Sequence, residues 1–342
     1  MTIRAFIAGV SGLVLTDHER AFLREQRPWG FILFKRNIDT PAQVARLVEE
    51  LRGAVGRFDA PVLIDQEGGR VQRLGPPHWP VYPPGSVFGT LYQSSPADGQ
   101  RAAWLSSRLI AADLAELGIT VDCLPLADVP VAGADAVIGN RAYGTNPEQV
   151  AAIARAVTYG LMDGGILPVL KHIPGHGRAT ADSHLRLPTV DTPREELVRT
   201  DFEPFRRLAD LPMAMTAHVV FSALDAAQPA TTSATIITEV IRGAIGFQGL
   251  LMSDDVSMNA LSGSIAERTA AIVAAGCDMV LHCNGRLDEM RDVASRTPEL
   301  TGEALARAER ALASRKAPQP FDREAGRAEL DRLIDRAGQL NA

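Results

Sequence analysis

Five short apolar runs in this chain end in residues able to do chemistry: Asp65, the pair Lys171-His172, His218, the pair Asp254-Asp255, and Asn284. A strand buried in a core gains nothing from ending in Lys-His or Asp-Asp. A helix cap or a satisfied loop group explains any one of these ends. Five together point to a shared polar pocket. Carboxylates in such a place act as nucleophiles, general bases or metal ligands, and an imidazole moves protons near neutral pH.

The segments around these ends differ in what they offer. Asp65-Gln66-Glu67-Gly68-Gly69-Arg70-Val71 sets two acids beside an arginine. Asp65 there accepts hydrogen bonds from neighbouring sugar hydroxyls, or it caps the next turn while Arg70 neutralises Glu67. In Lys171-His172-Ile173-Pro174-Gly175-His176-Gly177 the two histidines are four apart. That spacing binds zinc on a helix, but Pro174-Gly175 forbids a regular helix, so no metal site is expected. Asp182-Ser183-His184 places a carboxylate where it orients an imidazole and supports its charged form. Asp254 and Asp255 cannot both face one pocket, so one of them is expected to cap or support the other.

Eight apolar runs recur along the chain, at 5–8, 30–34, 61–65, 121–126, 168–172, 213–218, 249–253 and 279–283. They are nearly continuous, as parallel strands covered on both faces are. Helical patterns separate them. Thr40-Pro41-Ala42-Gln43 reads as a capping box with proline at the first helical position, and Thr192-Pro193-Arg194-Glu195 repeats the signal. Strands alternating with helices make an α/β chain, read as a single (β/α)8 TIM-type barrel. A doubly wound open sheet is the alternative, weakened because no GxGxxG turn follows the first run. In a barrel the long loops after strands carry function, and the loop 175–187 is one. Its glycines suggest a mobile segment. The proline-rich stretch 76–84 reads as a rigid surface loop. The expected organisation is one catalytic domain over 1–342, with a helical tail from about 286 to 342 packed outside the barrel.

The 342 residues carry 35 Lys+Arg against 41 Asp+Glu, a formal charge of −6, with 46% hydrophobic and 22% charged residues. Such values exclude a disordered chain and leave no basic stripe for nucleic acid or an anionic membrane. Three cysteines without a CxxC pair exclude a disulfide framework and a zinc knuckle, and fit a reducing cytoplasm. No run is long enough to span a bilayer. The apolar stretch after Arg4 is read as a first strand rather than a secretory leader, because no small-residue cleavage site follows it.

Together the segments 65–71, 138–141 (Ile-Gly-Asn-Arg), 171–177, 182–184 and 253–255 (Ser-Asp-Asp) resemble glycoside hydrolase family 3, in its order. They are most similar to the single-domain bacterial β-N-acetylglucosaminidases of cell-wall recycling. The resemblance runs from about residue 8 to 284. It implies a retaining two-step mechanism with Asp254 as nucleophile and His184 as acid/base paired with Asp182. It further implies that Asp65, Arg73, Arg141, Lys171 and His172 hold the sugar. Ile173 stands where phenylalanine is commoner, and Arg178-Ala179-Thr180 where the family has an Asp-Thr run. These departures bear on loop conformation and leaving-group preference.

The resulting expectation is a cofactor-free, metal-free exo-acting monomer releasing terminal N-acetylglucosamine from muropeptide fragments. With 11 Phe, 4 Tyr and 3 Trp, stacking platforms are few, which favours a small pocket over a long polysaccharide cleft. A phosphorylase or broader β-glycosidase on the same scaffold, a catalytically dead sugar-binding barrel and a metal-dependent hydrolase are the competing readings.

Overall fold

A computed structural model describes residues 2–340. Nine parallel strands form one sheet: β1 (Arg4–Gly9), β2 (Pro28–Leu33), β3 (Val62–Ile64), β4 (Val121–Asp122), β5 (Leu167–Pro168), β6 (Leu170–Ile173), β7 (Met213–Thr216), β8 (Leu250–Asp255) and β9 (Met279–His282). Their order is β5-β4-β3-β2-β1-β9-β8-β7-β6. The two ends of that order, β5 and β6, are halves of one strand separated only by Val169. The Val169 N–H donates back to Asp122 and Leu124 carbonyls. A parallel bridge from Leu126 to Lys171 draws the β4 segment toward β6. The sheet therefore curls round as the expected α/β barrel of eight strands, and the open-sheet alternative falls.

The strands are apolar throughout because both faces are covered. In β1, Ala5 and Ile7 point into the barrel with Ile32, Leu63, Val121, Met213, Met252 and Leu281. Phe6 and Ala8 point outward, into the larger layer between strands and helices. The fourth strand is shorter than the 121–126 run suggested. Only Val121–Asp122 form a continuous strand, and pairing resumes as an isolated bridge at Leu126, after Pro125, which has no N–H to give a ladder.

Helix starts follow the sequence in part. Thr40 caps helix Pro41–Val55 by accepting from Gln43 N–H. The return half of the box is missing, because the Gln43 side chain accepts from Asp39 N–H and donates to Leu13 and Asn37 carbonyls instead. Helix Arg194–Arg199 begins one residue later than Thr192 signalled, and without a side-chain cap.

Two expectations about exposure need correction. The 76–84 stretch is not merely a surface loop: Trp79 and Tyr82 are buried, and the Tyr82 hydroxyl donates to Asp113 at 2.7 Å. The tail does not pack only outside. Helix Gly302–Ala313 inserts Ala308 and Ala311 into the barrel's own interior cluster, beside Leu300. Leu300 N–H donates to Ile3 O, and Ala5 N–H to Pro298 O, at the N-terminal mouth of the barrel. That helix plugs the bottom. Helix Arg323–Leu340 lies on the flank, tied by Arg101–Glu329 and Arg323–Glu116 ion pairs. The bottom being closed, the open end is the C-terminal face. No helix among the described residues is long and apolar enough to cross a membrane.

Candidate active site

The chain turns from strand to loop at the C-terminal face, and a cavity of about 310 Å³ opens there. Asp65, Arg73, Arg141, Lys171, His172, Asp182, His184 and Asp254 all line it. Its size falls at the small end of ligand pockets, which run from about 300 to 1,000 Å³.

One wall is a charge network. Asp65 follows β3, and Gln66–Gly68 fold back on Val71–Gln72 as a small antiparallel hairpin. Gly68 and Gly69 have φ of 95° and 57°, and a Cβ on either would collide with Pro83 or Pro84. Glycine is needed at both. Gln66, fully buried, locks the hairpin: its side-chain Oε1 accepts from Arg73 and Leu74 N–H, each at 2.9 Å. Arg73 is thereby placed to donate to Asp65 Oδ2 at 3.0 Å. Lys171, on β6, reaches Asp65 Oδ1 at 2.9 Å and Glu67 Oε1 at 2.6 Å. Arg141 grips Glu67 with both arms of its guanidinium, at 2.9 and 2.8 Å. Burial alone would raise both carboxyls. Lys171 with Arg73 outweighs it at Asp65, and Lys171 with Arg141 at Glu67, so both lie below their ordinary values. Arg70 is not Glu67's partner. It is exposed and donates to the Ala136 and Val137 carbonyls.

Across the cavity, β8 ends in the two aspartates; both border it, contrary to the expectation that only one could, but their roles separate. Asp255 accepts from Ser257 N–H and Oγ–H and from Cys283 N–H, which makes it the turn's cap. Among the described residues Asp254 accepts one hydrogen bond, from Asp255 N–H at 2.8 Å, and pairs with no side chain. Burial pushes its carboxyl up, but His218, His172 and that N–H more than compensate, and its pKa is lowered. An ionised, lightly partnered carboxylate in a pocket has lone pairs free to attack or bind.

Four histidines surround it with different tasks. His218 Nε2 meets the Asp255 carbonyl at 3.0 Å; a carbonyl only accepts, so Nε2 carries the hydrogen. Its Nδ1 lies 2.8 Å from the Thr231 hydroxyl, and burial lowers its pKa. His176 is buried, with Nε2 against Ser183 Oγ at 3.1 Å; burial first, then the neighbouring His172, lower it to about 4. His172 Nδ1 lies 2.8 Å from Asp128, a residue after β4 that the sequence reading passed over. The signal for Asp128 was weak: a single acid in Pro-Leu-Ala-Asp-Val-Pro, inside an apolar run. His184 is exposed, and its Nδ1 sits 2.7 Å from Asp182 Oδ1. Its Nε2 has no protein partner among the described residues and stays available for a proton.

The loop bearing Asp182 and His184 is less free than its glycines suggested. At Gly177 a Cβ would lie 2.1 Å from the Val129 carbonyl, so glycine serves close packing there, not a hinge. Asp135 N–H donates to Ala179 O at 2.8 Å, and Ala260 N–H to Ser183 O at 3.2 Å. Ala179, Ala181 and Ser183 are buried, alternating with half-buried or exposed neighbours. Among the described residues no group of three or more His, Cys, Asp or Glu is gathered to hold a metal ion.

The Glycosyl hydrolase family 3 N terminal domain matches residues 10–313. A β-hexosaminidase of Alkalilimnicola ehrlichii is 39% identical over 288 residues, 83% of this chain and 82% of that protein. NagZ from Neisseria gonorrhoeae, solved with N-trifluoroacetyl-D-glucosamine, superposes with a TM-score of 0.84 at 30% identity, covering 100% of this chain and 99% of that one. A family 3 β-N-acetylglucosaminidase from Paenibacillus gives 0.83 at 29% identity, covering 98% of this chain and 67% of that one. With the barrel, the cavity at its C-terminal face and these matches in agreement, the chain belongs to glycoside hydrolase family 3 and is a glycoside hydrolase.

Proposed function

We propose that the protein is a retaining exo-β-N-acetylglucosaminidase acting on terminal N-acetylglucosamine of peptidoglycan-derived muropeptides, as a single-domain monomer in a reducing cytoplasm. The observation that carries this reading is the pairing, in one small cavity, of the lightly bonded Asp254 carboxylate with the Asp182–His184 dyad. A relative named β-hexosaminidase and a similar structure named as a family 3 β-N-acetylglucosaminidase support the substrate class.

In the first step an Asp254 oxygen attacks the anomeric carbon. The bond to the leaving oxygen breaks, and that oxygen takes the proton from His184 Nε2. The product is a glycosyl ester on Asp254. In the second step His184 Nε2 takes a proton from water, the water oxygen attacks the same carbon, and the ester bond breaks to restore the carboxylate. Two inversions leave the β-configuration unchanged. The Asp182 carboxylate fixes the His184 tautomer and supports the imidazolium. A placed proton donor supplies roughly 10²–10⁴-fold. Asp65, kept ionised by Lys171 and Arg73, accepts from sugar hydroxyls, while Arg73, Arg141 and Lys171 set the ring's position.

The test compares hydrolysis of nitrophenyl β-N-acetylglucosaminide with that of the β-glucoside and follows the first-formed anomer by NMR. Strong preference for the acetamido sugar and initial β-product support the reading. Comparable kcat/KM on the glucoside refutes the substrate class, and initial α-product refutes the retaining mechanism. Running the reaction with inorganic phosphate separates hydrolysis from phosphorolysis, since only phosphorolysis yields a sugar 1-phosphate.

A further inference from the structure

Asp128 lies outside the roles assigned so far, yet two histidines of the cavity depend on it. It is fully buried after β4 and is carried there by the backbone. Ala127 N–H donates to Lys171 O at 2.7 Å, and Lys171 N–H to Pro125 O at 3.0 Å. Its oxygens divide the work. Oδ2 meets His172 Nδ1 at 2.8 Å. Oδ1 accepts from the backbone N–H of His172 at 3.2 Å and of His176 at 2.7 Å. Burial would raise this carboxyl, but His172 beside it and the His176 N–H hold it near 2, so Asp128 is an acceptor at any working pH.

An ionised carboxylate has no hydrogen to give. His172 Nδ1 must therefore carry one, and in the neutral ring Nε2 keeps a lone pair. Nε2 has no protein partner among the described residues, and His172 lines the cavity. In its neutral form a ring held this way offers Nε2 as an acceptor to a sugar hydroxyl, which Lys171, Arg73 and Arg141 around it cannot do. The second arm runs through the loop. Asp128 holds His176 by its backbone, and the His176 ring meets Ser183, the residue between Asp182 and His184.

We propose that Asp128 is a positioning residue with two targets: it fixes His172 as a hydrogen-bond acceptor for a sugar hydroxyl, and through His176 it anchors the loop that presents His184. Asp128 touches neither the substrate nor the reacting atoms. The inference rests on the N-acetylglucosaminidase reading, but its principal test does not require turnover.

Imidazole ¹⁵N shifts of the labelled, unliganded protein, assigned with a His172→Gln variant, report which ring nitrogen carries the hydrogen. In the wild type His172 is expected as the Nδ1–H form. In Asp128→Asn the carbonyl stays with the two backbone N–H groups and the amide faces Nδ1, so the hydrogen moves to Nε2. A wild-type ring protonated at Nε2, or an unchanged tautomer in a folded Asp128→Asn protein, overturns the proposal. Kinetically, Asp128→Asn should lower kcat/KM on nitrophenyl β-N-acetylglucosaminide by about ten- to a hundredfold, the range for a charge-assisted hydrogen bond. Most of that loss should be in KM. A loss confined to kcat also overturns the sugar-acceptor role. Should Asp128→Asn fail to fold, the wild-type spectrum alone decides the tautomer. An enzyme inactive on the acetamido sugar but with the expected tautomer refutes the function and leaves the positioning of His172 standing.

Discussion

One oxygen of Asp182 fixes His184 twice: Oδ1 accepts the imidazole Nδ1–H at 2.7 Å and the His184 backbone N–H at 2.9 Å. A carboxylate two residues ahead thereby sets both the tautomer and the rotamer of the ring, and Nε2 is the nitrogen left to face a leaving group. His184→Ala is expected to slow poor leaving groups by roughly 10²–10⁴-fold. Activated aryl glycosides, which leave unprotonated, should lose far less in the first step. Azide, which attacks the glycosyl ester without a base, should partly rescue turnover on those substrates. Asp182→Ala should show a milder form of the same pattern. A leaving-group series for the three proteins checks this; equal losses across the series would make His184 a binding residue. Two other titratable groups near the cavity are engaged elsewhere: Glu67 with Lys171 and Arg141, and His218 with the Asp255 carbonyl.

Asp254→Ala is expected to lose nearly all turnover and still fold. The side chain accepts a single local hydrogen bond, from the half-buried Asp255 N–H, so its removal should cost at most about 3 kcal/mol. A 2-deoxy-2-fluoro or 5-fluoro glycosyl trap should label Asp254 in the wild type. Label on Asp255 would contradict its role as a cap to Ser257 and Cys283; Asp255→Ala should instead destabilise the protein measurably.

The barrel was readable because buried parallel strands announce themselves as uninterrupted apolar runs, and polar residues at their ends stand out against that background. The same contrast exposed Asp65, Lys171, His172 and Asp254. Partners were less readable. Spacing alone paired Glu67 with the nearby Arg70, whereas the fold brings Arg141 across from a distant loop. Asp128 hid inside an apolar stretch, and its meaning depends on His172, which reaches it only when the barrel closes. Gly177 was read for its flexibility, but a glycine required by close packing looks the same in sequence.

The buried histidines make stability depend on pH in a defined window. His176 is held near 4, below the ordinary histidine value of 6.5, because burial disfavours its charged form. The unfolded chain takes up a proton as pH falls through 6.5 while the folded one does not. The stability involved is complete above 6.5 and drains away toward pH 4, by about 3 kcal/mol at most. His218, also lowered by burial, acts with the same sign. Denaturant titrations of wild type and His176→Asn between pH 7.5 and 4.5 expose the term, because groups away from His176 titrate alike in both. The wild-type curve should fall more steeply over that range; parallel curves would mean that His176 is charged in the fold.

Gly177 tests whether the loop's base is a hinge or an anchor. A Cβ there would stand 2.1 Å from the Val129 carbonyl oxygen and 2.7 Å from Pro130 N, both backbone atoms that cannot swing aside. Gly177→Ala must therefore push the loop from the 129–131 segment, straining the Val131 N–H bond to Gly177 O. Overpacking of this kind costs about 1–3 kcal/mol. Displacement should pass along the chain to Ser183 and His184, so activity on poor leaving groups should fall further than activity on activated ones. Gly175 makes the control. Its φ of 145° is strained for any side chain, but its nearest neighbour is the Asp201 Cβ at 3.3 Å, so Gly175→Ala burdens the backbone without driving the loop off Val129. If Gly177→Ala keeps wild-type stability and its full leaving-group profile, the loop has slack at its base and moves as a hinge.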